Sequence, residues 1–240
     1  GKTAETGKRK SGDRKAEKNM RYYIADSHFL HGALNTSMDC RGFEDVQTMD
    51  DYMIRQWNGR VKRNDEVVIL GDLVWSRDAK EAEEIIRQLN GKKYLLVGNH
   101  DAWAMKKDLD RSLFRDIAYY REFHDNGRKV ICCHYPILCY NGQYRQSNKG
   151  GSKTFMVYGH VHDTEDQKDI LKFASVMRKR KVDRKHDGNM SGLECNMLNC
   201  FCMYSDYVPW SLDEWIAWHK TDGTDGKILT RGEKKKYGKA

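Results

Sequence analysis

Short apolar runs that each end at an aspartate, a glycine or a histidine recur along the central part of this chain. They occupy positions 20–25, 66–70, 94–97, 129–133 and 155–158. Their length and their β-branched or aromatic content predict strands. Helical spacing of apolar residues at 45–58 and 78–90, and a capping-box pattern that opens the segment 211–219, predict three helices between and after them. Strands that alternate with helices favour a layered α/β domain.

Each predicted strand delivers a polar motif at its carboxyl end. In chain order the motifs are Asp26-Ser27-His28, Gly71-Asp72, Gly98-Asn99-His100-Asp101, His134 and Gly159-His160-Val161-His162. Taken singly, the motifs are weak signals: a lone Asp-x-His is more often a turn than a ligand pair, Gly-Asn-His-Asp fits a β-turn, and Gly159 to His162 fits a turn with two surface histidines. Because ligands of open α/β sheets bind beyond the carboxyl ends of the strands, the ordered set predicts one site built from all five motifs.

The motifs together offer seven oxygen or nitrogen donors. These are Asp26, His28, Asp72, Asn99, His134, His160 and His162. Seven donors exceed the needs of one tetrahedral ion and suit two ions that share a carboxylate. Carboxylate, amide and imidazole ligands without a thiolate favour Mn, Fe, Zn, Co or Ni. Two such ions about 3.5–4 Å apart can hold a bridging hydroxide and both oxygens of an in-line displacement at phosphorus, so the predicted chemistry is hydrolysis of a phosphate ester.

This motif set resembles the calcineurin-like metallophosphoesterase superfamily. The run Asp26-Ser27-His28-Phe29-Leu30-His31, together with Gln56-Trp57-Asn58, is similar to the small bacterial and phage branch of that superfamily. The likeness covers residues 20–162. It implies an α/β fold of four layers, an α-β-β-α sandwich with two central mixed sheets.

The resemblance also implies a role for each site residue. One metal ion would be bound by Asp26, His28, Asp72 and His162, and the other by Asp72, Asn99, His134 and His160, with Asp72 bridging. His100 would face the scissile phosphate and either protonate the leaving oxygen or stabilise the developing charge, while Asp101 orients its ring. On this interpretation the protein is a dinuclear metal-dependent phosphoesterase that favours phosphodiesters and uses a metal-bridging hydroxide as nucleophile.

The predicted metallophosphoesterase domain covers residues 20–219 of the 240-residue chain. A looser likeness to the closing strand and helix of the same branch, at 193–214, places an insertion at about 163–190. Residues 1–19 and 220–240 each carry seven lysines or arginines and three acidic residues, so the two ends account for the formal net charge of +8. Neither end shows apolar periodicity, and both are expected to be disordered basic tails.

Six basic residues within positions 178–185 of the insertion admit other functions. The run is either a solvated surface or a nucleic-acid-binding surface. If it binds nucleic acid, the protein would be a nuclease or a nucleotide phosphodiesterase. A non-catalytic metal-binding scaffold is a third hypothesis, disfavoured because all seven ligands and His100 are present. The sequence leaves the substrate, the native metal and the oligomeric state open.

Several residues near the motifs have two interpretations each. His31 either reaches a substrate phosphate or supports the ligands, or it is a solvated loop histidine. Arg41 either clamps phosphate or lies on the surface, and Asn58 is either a helix C-cap or a site residue. The tryptophans near the C-terminus either stack on bases or, as the helical spacing of Leu212 and Trp215 favours, pack into the core.

The chain shows no sequence signal for secretion or for membrane insertion. No run reaches 18 apolar residues, and the N-terminal residues are charged throughout. The seven cysteines include no Cys-x2-Cys pair that would indicate structural zinc. These features predict a soluble, cytoplasmic protein with reduced thiols and no membrane partner.

Overall fold

Two stacked β-sheets lie at the centre of the protein, which a computed structural model describes over residues 19–145, 153–183 and 186–221. The strands of the first sheet are β1 (Arg21–Ile24), β2 (Glu66–Ile69), β3 (Lys92–Leu96), β4 (Phe114–Ala118) and β11 (Trp210–Ser211). Their order is β11-β1-β2-β3-β4, with β1 to β4 parallel and β11 antiparallel at one edge. The carboxyl ends of β1, β2 and β3 therefore meet at one edge of this sheet.

The second sheet has the same mixed character. Its strands are β5 (Tyr120–Asp125), β6 (Arg128–Cys133), β7 (Thr154–Tyr158) and β10 (Met197–Asn199). Their order is β10-β7-β6-β5, with β10, β7 and β6 parallel and β5 antiparallel at the edge. A separate two-stranded hairpin pairs β8 (Lys181–Val182) with β9 (Ser191–Gly192).

Three helices cover the outer faces of the sheets, namely α1 (Val46–Arg60), α2 (Ala79–Gln88) and α3 (Glu165–Lys179). A fourth helix, α4 (Leu212–Thr221), packs Leu212 and Trp215 into the cluster between the sheets. The helices α1 and α2 pack on the first sheet through apolar faces that include Met53, Trp57 and Ile86. The helix α3 packs on the second sheet through Ile170 and Ala174.

The two sheets bury their facing surfaces against each other. Tyr23, Val68 and Leu96 of the first sheet share one cluster with Val130 and Val157 of the second. Alternate residues of these strands point to opposite faces of the sheet. Because each sheet is covered on both faces, its strands carry apolar residues on both sides. The architecture is a four-layer α-β-β-α sandwich, which confirms the predicted fold class.

Side-chain caps fix the starts of three helices. Asp45 accepts from Thr48 N at 2.7 Å at the start of α1. Asp78 accepts from Lys80 N at 2.7 Å at the start of α2. The capping box predicted for α4 is present, because Ser211 N donates to Glu214 Oε2 at 2.8 Å and Glu214 N donates to Ser211 Oγ at 3.4 Å.

The segment predicted as an insertion contains α3 and β8. It thus contributes the helical layer that covers the second sheet, and the exact bounds of an insertion stay a prediction. The predicted tails lie outside the described residues, apart from Asn19, Lys220 and Thr221. None of the helices in the described part of the chain is both long and apolar enough to cross a membrane.

Candidate metal centre

The polar motifs meet where the strands of both sheets end. Asp26 follows β1, Asp72 follows β2 and Asn99 follows β3 in the first sheet, while His134 follows β6 and His160 follows β7 in the second. Backbone hydrogen bonds tie these ends together: Asp26 N donates to Gly71 O at 3.1 Å, and Gly159 N donates to His134 O at 3.0 Å. The sandwich therefore brings donors from two sheets to one edge.

The backbone at these strand ends adopts a conformation that L-residues rarely take. Five of the predicted donors have positive φ angles, namely Asp26 (56°), His28 (47°), Asp72 (51°), His160 (72°) and His162 (47°). A non-glycine residue in this region costs free energy and persists only where its surroundings over-determine it. Such a concentration of strained residues is typical of a functional site.

Three motif glycines make room for the carboxylates and the imidazole of the site. A Cβ on Gly98 would lie 2.2 Å from Asp72 Oδ1, and one on Gly159 would lie 2.6 Å from Asp26 Oδ2. At Gly71, which has a φ of +89°, a Cβ would lie 2.4 Å from His134 Nδ1. These glycines are required by close approach of the backbone to the functional side chains, rather than by turns alone.

A first group of donors consists of Asp26, His28 and His162, with one ligand atom from each within 4.8 Å of the others. All three residues are buried. The two imidazoles point at each other, because His28 Nε2 lies 3.2 Å from His162 Nε2. This arrangement leaves two ring nitrogens and a carboxylate facing one small volume.

A second group consists of Asp26, Asp72 and His134 and meets the same 4.8 Å condition. It shares Asp26 with the first group, so the two groups are adjacent. The side chain of Asp72 also lies between a histidine of each group, since its Oδ2 is 3.5 Å from His134 Nε2 and 3.6 Å from His28 Nε2.

The remaining predicted donors join the second group. The side-chain oxygen of Asn99 lies 3.0 Å from His134 Nε2 and 2.9 Å from His160 Nδ1. His160 N donates to both carboxylate oxygens of Asp26, at 2.9 and 3.1 Å. The structure thus brings all seven predicted donors together.

Hydrogen bonds at the far ring nitrogen orient two of the histidines. His134 Nδ1 lies 2.8 Å from the carbonyl oxygen of Leu70, to which only a protonated nitrogen can donate. His162 Nδ1 lies 2.7 Å from Asp39 Oδ1 and donates to that carboxylate. When either imidazole is neutral, these hydrogen bonds place its Nε2 lone pair toward the centre, which is the tautomer that a metal ligand needs.

Asp39 was not predicted from the sequence. It lies in the irregular segment between β1 and α1 and accepts from His162 on one oxygen and from Arg41 on the other, with Arg41 Nη2 at 2.9 Å. Burial would raise the pKa of Asp39, but the hydrogen bond from His162 and the charge of Arg41 lower it overall. The carboxylate is therefore held ionised behind a candidate donor histidine.

Both interpretations of Arg41 from the sequence are wrong. Its side chain is neither a phosphate clamp nor a surface group, because it is fully buried. Besides the ion pair with Asp39, the guanidinium donates to the backbone oxygens of Ser27 at 2.6 Å and Asp26 at 3.0 Å. Arg41 therefore stabilises, from its buried side, the loop that carries the motif Asp26-Ser27-His28.

The two central carboxylates concentrate negative charge in a buried volume. Burial raises the pKa of Asp26 to about 7, and the charge of Asp72 acts in the same direction against the opposing charge of His162. A raised carboxyl pKa means that the ionised form lacks compensation from the protein alone. A bound cation would supply that compensation.

Three histidines of the centre, His28, His134 and His160, favour the neutral form that ligates metals, whereas, although burial opposes it, the hydrogen bond to Asp39 raises the pKa of His162. Burial lowers the pKa of His28, and the charges of His162 and Arg41 lower it further. Burial also lowers the pKa of His134 and of His160. With carboxylate, amide and neutral imidazole donors and no thiolate among the contacts, the donor set fits borderline divalent ions.

His100 and Asp101 have different environments. His100 N donates to Asp72 Oδ1 at 2.8 Å, and the half-buried ring lies 5.4 Å from the ring of His28, centroid to centroid.

The expectation that Asp101 orients the ring of His100 is not met by the hydrogen bonds that the structure describes for Asp101. Asp101 is fully buried, and its carboxylate accepts from the backbone N–H groups of Asp72 (2.7 Å), Leu73 (2.9 Å) and Gly98 (2.9 Å). It fixes the two loops that carry the ligands.

The other residues with open interpretations fall outside the donor groups. His31 stacks on Trp75, with ring centroids 3.8 Å apart and an interplanar angle of 8°. Asn58 connects α1 to the end of α2, donating to Gln88 O at 2.7 Å and accepting from Asn90 N at 2.8 Å, and is not a site residue.

The predicted core packing of the C-terminal helix is confirmed. Leu212 and Trp215 are buried in the layer between the sheets. The indole of Trp215 donates to Tyr23 O at 2.9 Å.

Comparisons with known proteins agree with this geometry. An uncharacterized protein of Methanocaldococcus jannaschii is 34% identical over 143 residues, which cover 59% of this chain and 68% of that protein. The solved structure of a protein of unknown function from Aquifex aeolicus superposes with a TM-score of 0.53 at 20% identity, over 83% of this chain and 99% of that one, which is a likeness of fold. The model of the calcineurin-like phosphoesterase family matches residues 22–215, most of the chain. This chain belongs to the calcineurin-like phosphoesterase family.

Proposed function

We propose that the protein is a phosphoesterase that uses two divalent cations and hydrolyses phosphodiesters in preference to monoesters. The observation that carries the proposal is the pair of buried donor groups that share Asp26 and enclose Asp72 between their histidines. One group suffices for one ion, and two adjacent groups suit two.

The residues divide between the two ions as follows. Asp26, His28 and His162 would hold one ion, and Asp72, Asn99, His134 and His160 would hold the other. Asp26 is also within reach of the second ion, and Asp72 also reaches toward His28. When bound, such ions activate water and offset the charge of the phosphoryl oxygens. Mn, Fe, Zn, Co and Ni all accept these donors.

His100 is the proposed general acid. Its backbone N–H is fixed by Asp72 while its ring stands beside His28 at the mouth of the centre, so the ring can approach an ester oxygen of a bound phosphate. Holding a proton at a ring nitrogen, His100 would transfer it to the leaving oxygen as the bond to phosphorus breaks.

The side chains at the mouth support a diester substrate. They are histidines and aromatic residues, including Trp75 and Tyr135, whereas the guanidinium of Arg41 is buried beneath the centre. A diester carries one negative charge and a monoester carries up to two. A mouth without an arginine among these contacts suits the ligand with less charge.

The experiment that tests the proposal combines metal analysis with hydrolysis assays. The purified protein is freed of metal, reloaded with each candidate ion, and assayed on bis(4-nitrophenyl) phosphate and 4-nitrophenyl phosphate. We expect about two ions per chain and faster turnover of the diester, both lost in Asp72→Ala. Absence of hydrolysis with every ion, in a protein that stays folded, would refute the proposed function.

The nucleic-acid partner suggested by the basic run stays a prediction. Arg178 of that run donates to Cys195 O at 2.8 Å and so takes part in holding α3 on the second sheet. Arg184 and Lys185 lie outside the described residues.

A further inference from the structure

Exposed aromatic side chains are concentrated at the end of the molecule that carries the donor groups. Among the described residues, four aromatic side chains count as strongly exposed: Trp75 (41%), Tyr119 (61%), Tyr120 (41%) and Tyr135 (43%). Large aromatic surface is costly to leave in water, and an exposed apolar patch marks a binding surface.

Chain topology places all four at the same edge. Trp75 lies three residues after Asp72, and Tyr135 directly follows His134. Tyr119 and Tyr120 link the first sheet to the second: Ala118 pairs with Leu96, and Tyr120 pairs with Cys133. Leu96 and Cys133 are the last residues of strands that deliver Asn99 and His134, so the two tyrosines stand beside those donors.

One exposed ring lies beside each donor group, but the two rings differ in what they can still bind. Trp75 is near His28 and is already stacked face to face on His31 at 3.8 Å. The ring of Tyr135 meets His134 at 4.9 Å and His160 at 4.6 Å, at interplanar angles of 72° and 65°. Neither contact of Tyr135 is a parallel stack, so neither histidine ring lies flat on Tyr135, which makes it the better candidate of the two to offer a face to a ligand.

Resting on the proposed phosphodiesterase function, we propose that Tyr135 is a stacking platform for a nucleobase, and that the substrates are nucleoside phosphodiesters. A ring directly next to a ligand histidine is close enough to contact a group attached to the bound phosphate. Bases stack on exposed aromatic rings with little dependence on sequence, and the tilted planes at Tyr135 are open to that geometry. Tyr119 extends the same rim.

The test isolates the base from the rest of the substrate. Two esters with the same 4-nitrophenyl leaving group are compared: the 4-nitrophenyl ester of thymidine 5′-phosphate and the matching ester of 1,2-dideoxyribose 5-phosphate, which lacks the base. In each reaction water forms one new P–O bond while the bond to 4-nitrophenolate breaks, so leaving-group chemistry is constant. We expect the base to raise kcat/KM on the order of tenfold in the wild type.

Variants of Tyr135 separate stacking from simple apolar contact. Tyr135→Phe keeps the ring and should keep the preference for the base, whereas Tyr135→Leu and Tyr135→Ala should reduce the ratio of the two kcat/KM values toward one. Val176→Ala, which removes an exposed apolar side chain on α3, is the matched control and should leave the ratio unchanged.

The outcomes distinguish this inference from the proposed function. Equal kcat/KM for both esters in the wild type, or an unchanged ratio in Tyr135→Ala, overturns the platform while leaving phosphoesterase activity intact. If neither ester is hydrolysed, the proposed function fails, and the platform is then judged by calorimetric binding of thymidine 5′-monophosphate against 1,2-dideoxyribose 5-phosphate. Loss of that binding preference in Tyr135→Ala supports the platform, and its persistence overturns it.

Discussion

Asp39 Oδ1 and His162 Nδ1 lie 2.7 Å apart, which connects a carboxylate outside every recognised motif to a donor of the candidate centre. The second oxygen of Asp39 is bound to the buried guanidinium of Arg41. One side chain thus orients a proposed ligand and neutralises a buried cation, so its removal should affect metal binding and folding separately.

We expect Asp39→Ala to lower the free energy of unfolding by about 3 kcal/mol, because it leaves the guanidinium of Arg41 buried without its partner. Metal affinity should fall about 10- to 100-fold as His162 loses its orientation. Urea denaturation and competition with a chelating dye measure the two effects. Asp51→Ala, on the exposed face of α1, is the control and should change neither by more than a small amount; an Asp39→Ala protein with wild-type metal affinity would contradict the role given to Asp39.

Gly98→Ala should abolish stable metal binding, because the new Cβ would lie 2.2 Å from Asp72 Oδ1 and 2.6 Å from Asp72 N. Backbone atoms cannot move aside cheaply, so the loop after β2 must shift. Gly59→Ala is the matched substitution, since nothing lies within 4 Å of a Cβ at this position of α1. It should stabilise the protein by up to about 1 kcal/mol through helix propensity. Thermal unfolding with and without metal measures both variants; retained metal binding in Gly98→Ala would show that the loop tolerates the displacement.

Local patterns in the sequence were sufficient to predict where the donors lie. Strand periodicity placed β1, β2, β3, β6 and β7 within two residues of their observed bounds, and parallel strands necessarily present their carboxyl ends at a common edge. The meeting of the donors follows from that geometry. Their binding of metal stays a proposal that the assays above test.

Long-range contacts could not be predicted in the same way. Asp39 and His162 are 123 positions apart, and no periodicity or motif near Asp39 signals the pairing. The family resemblance implied that Asp101 orients the ring of His100, whereas its actual partners include Asp72 and Leu73, on a loop 28 or more positions away. Ile170, Ala174 and Met177 do show helical spacing in the sequence of α3, but the likeness of 193–214 to the closing strand and helix of the branch assigned 163–190 to an insertion.

Asp101→Ala should destabilise the protein by about 3 kcal/mol or more, because three buried backbone N–H groups lose their shared acceptor. Asp101→Asn should be less harmful, since its remaining amide oxygen can still accept from Asp72 N and Gly98 N while its NH2 group would oppose Leu73 N with another donor. Urea denaturation of the metal-free proteins measures the loss. Stability within 1 kcal/mol of the wild type in both variants would show that the two loops hold without this carboxylate.

His100→Ala should lower kcat about 10²- to 10⁴-fold while leaving the metal content unchanged. The ring is the group proposed to carry the proton, whereas the contact of this residue with Asp72 is made by the backbone N–H, which alanine retains. His124→Ala, at an exposed position of β5, is the control for loss of a histidine. Elemental analysis and steady-state kinetics on bis(4-nitrophenyl) phosphate separate the effects, and equal kcat in His100→Ala would remove its assignment as general acid.

Removal of metal should change the pH dependence of stability. Burial raises the pKa of Asp26 to about 7 in the metal-free protein, against about 3.9 in an unfolded chain. Between these values the folded state binds more protons than the unfolded state, so this group makes the free energy of unfolding fall as pH rises from about 4 to about 7. Divalent ions bind the ionised carboxylate and therefore stabilise the folded protein more as pH rises through the same window.

The difference in Tm between metal-loaded and chelator-treated protein should widen from pH 5 to pH 7.5, as measured by differential scanning calorimetry. Asp26→Asn should flatten that widening, and a difference independent of pH in the wild type would contradict a cation at this carboxylate.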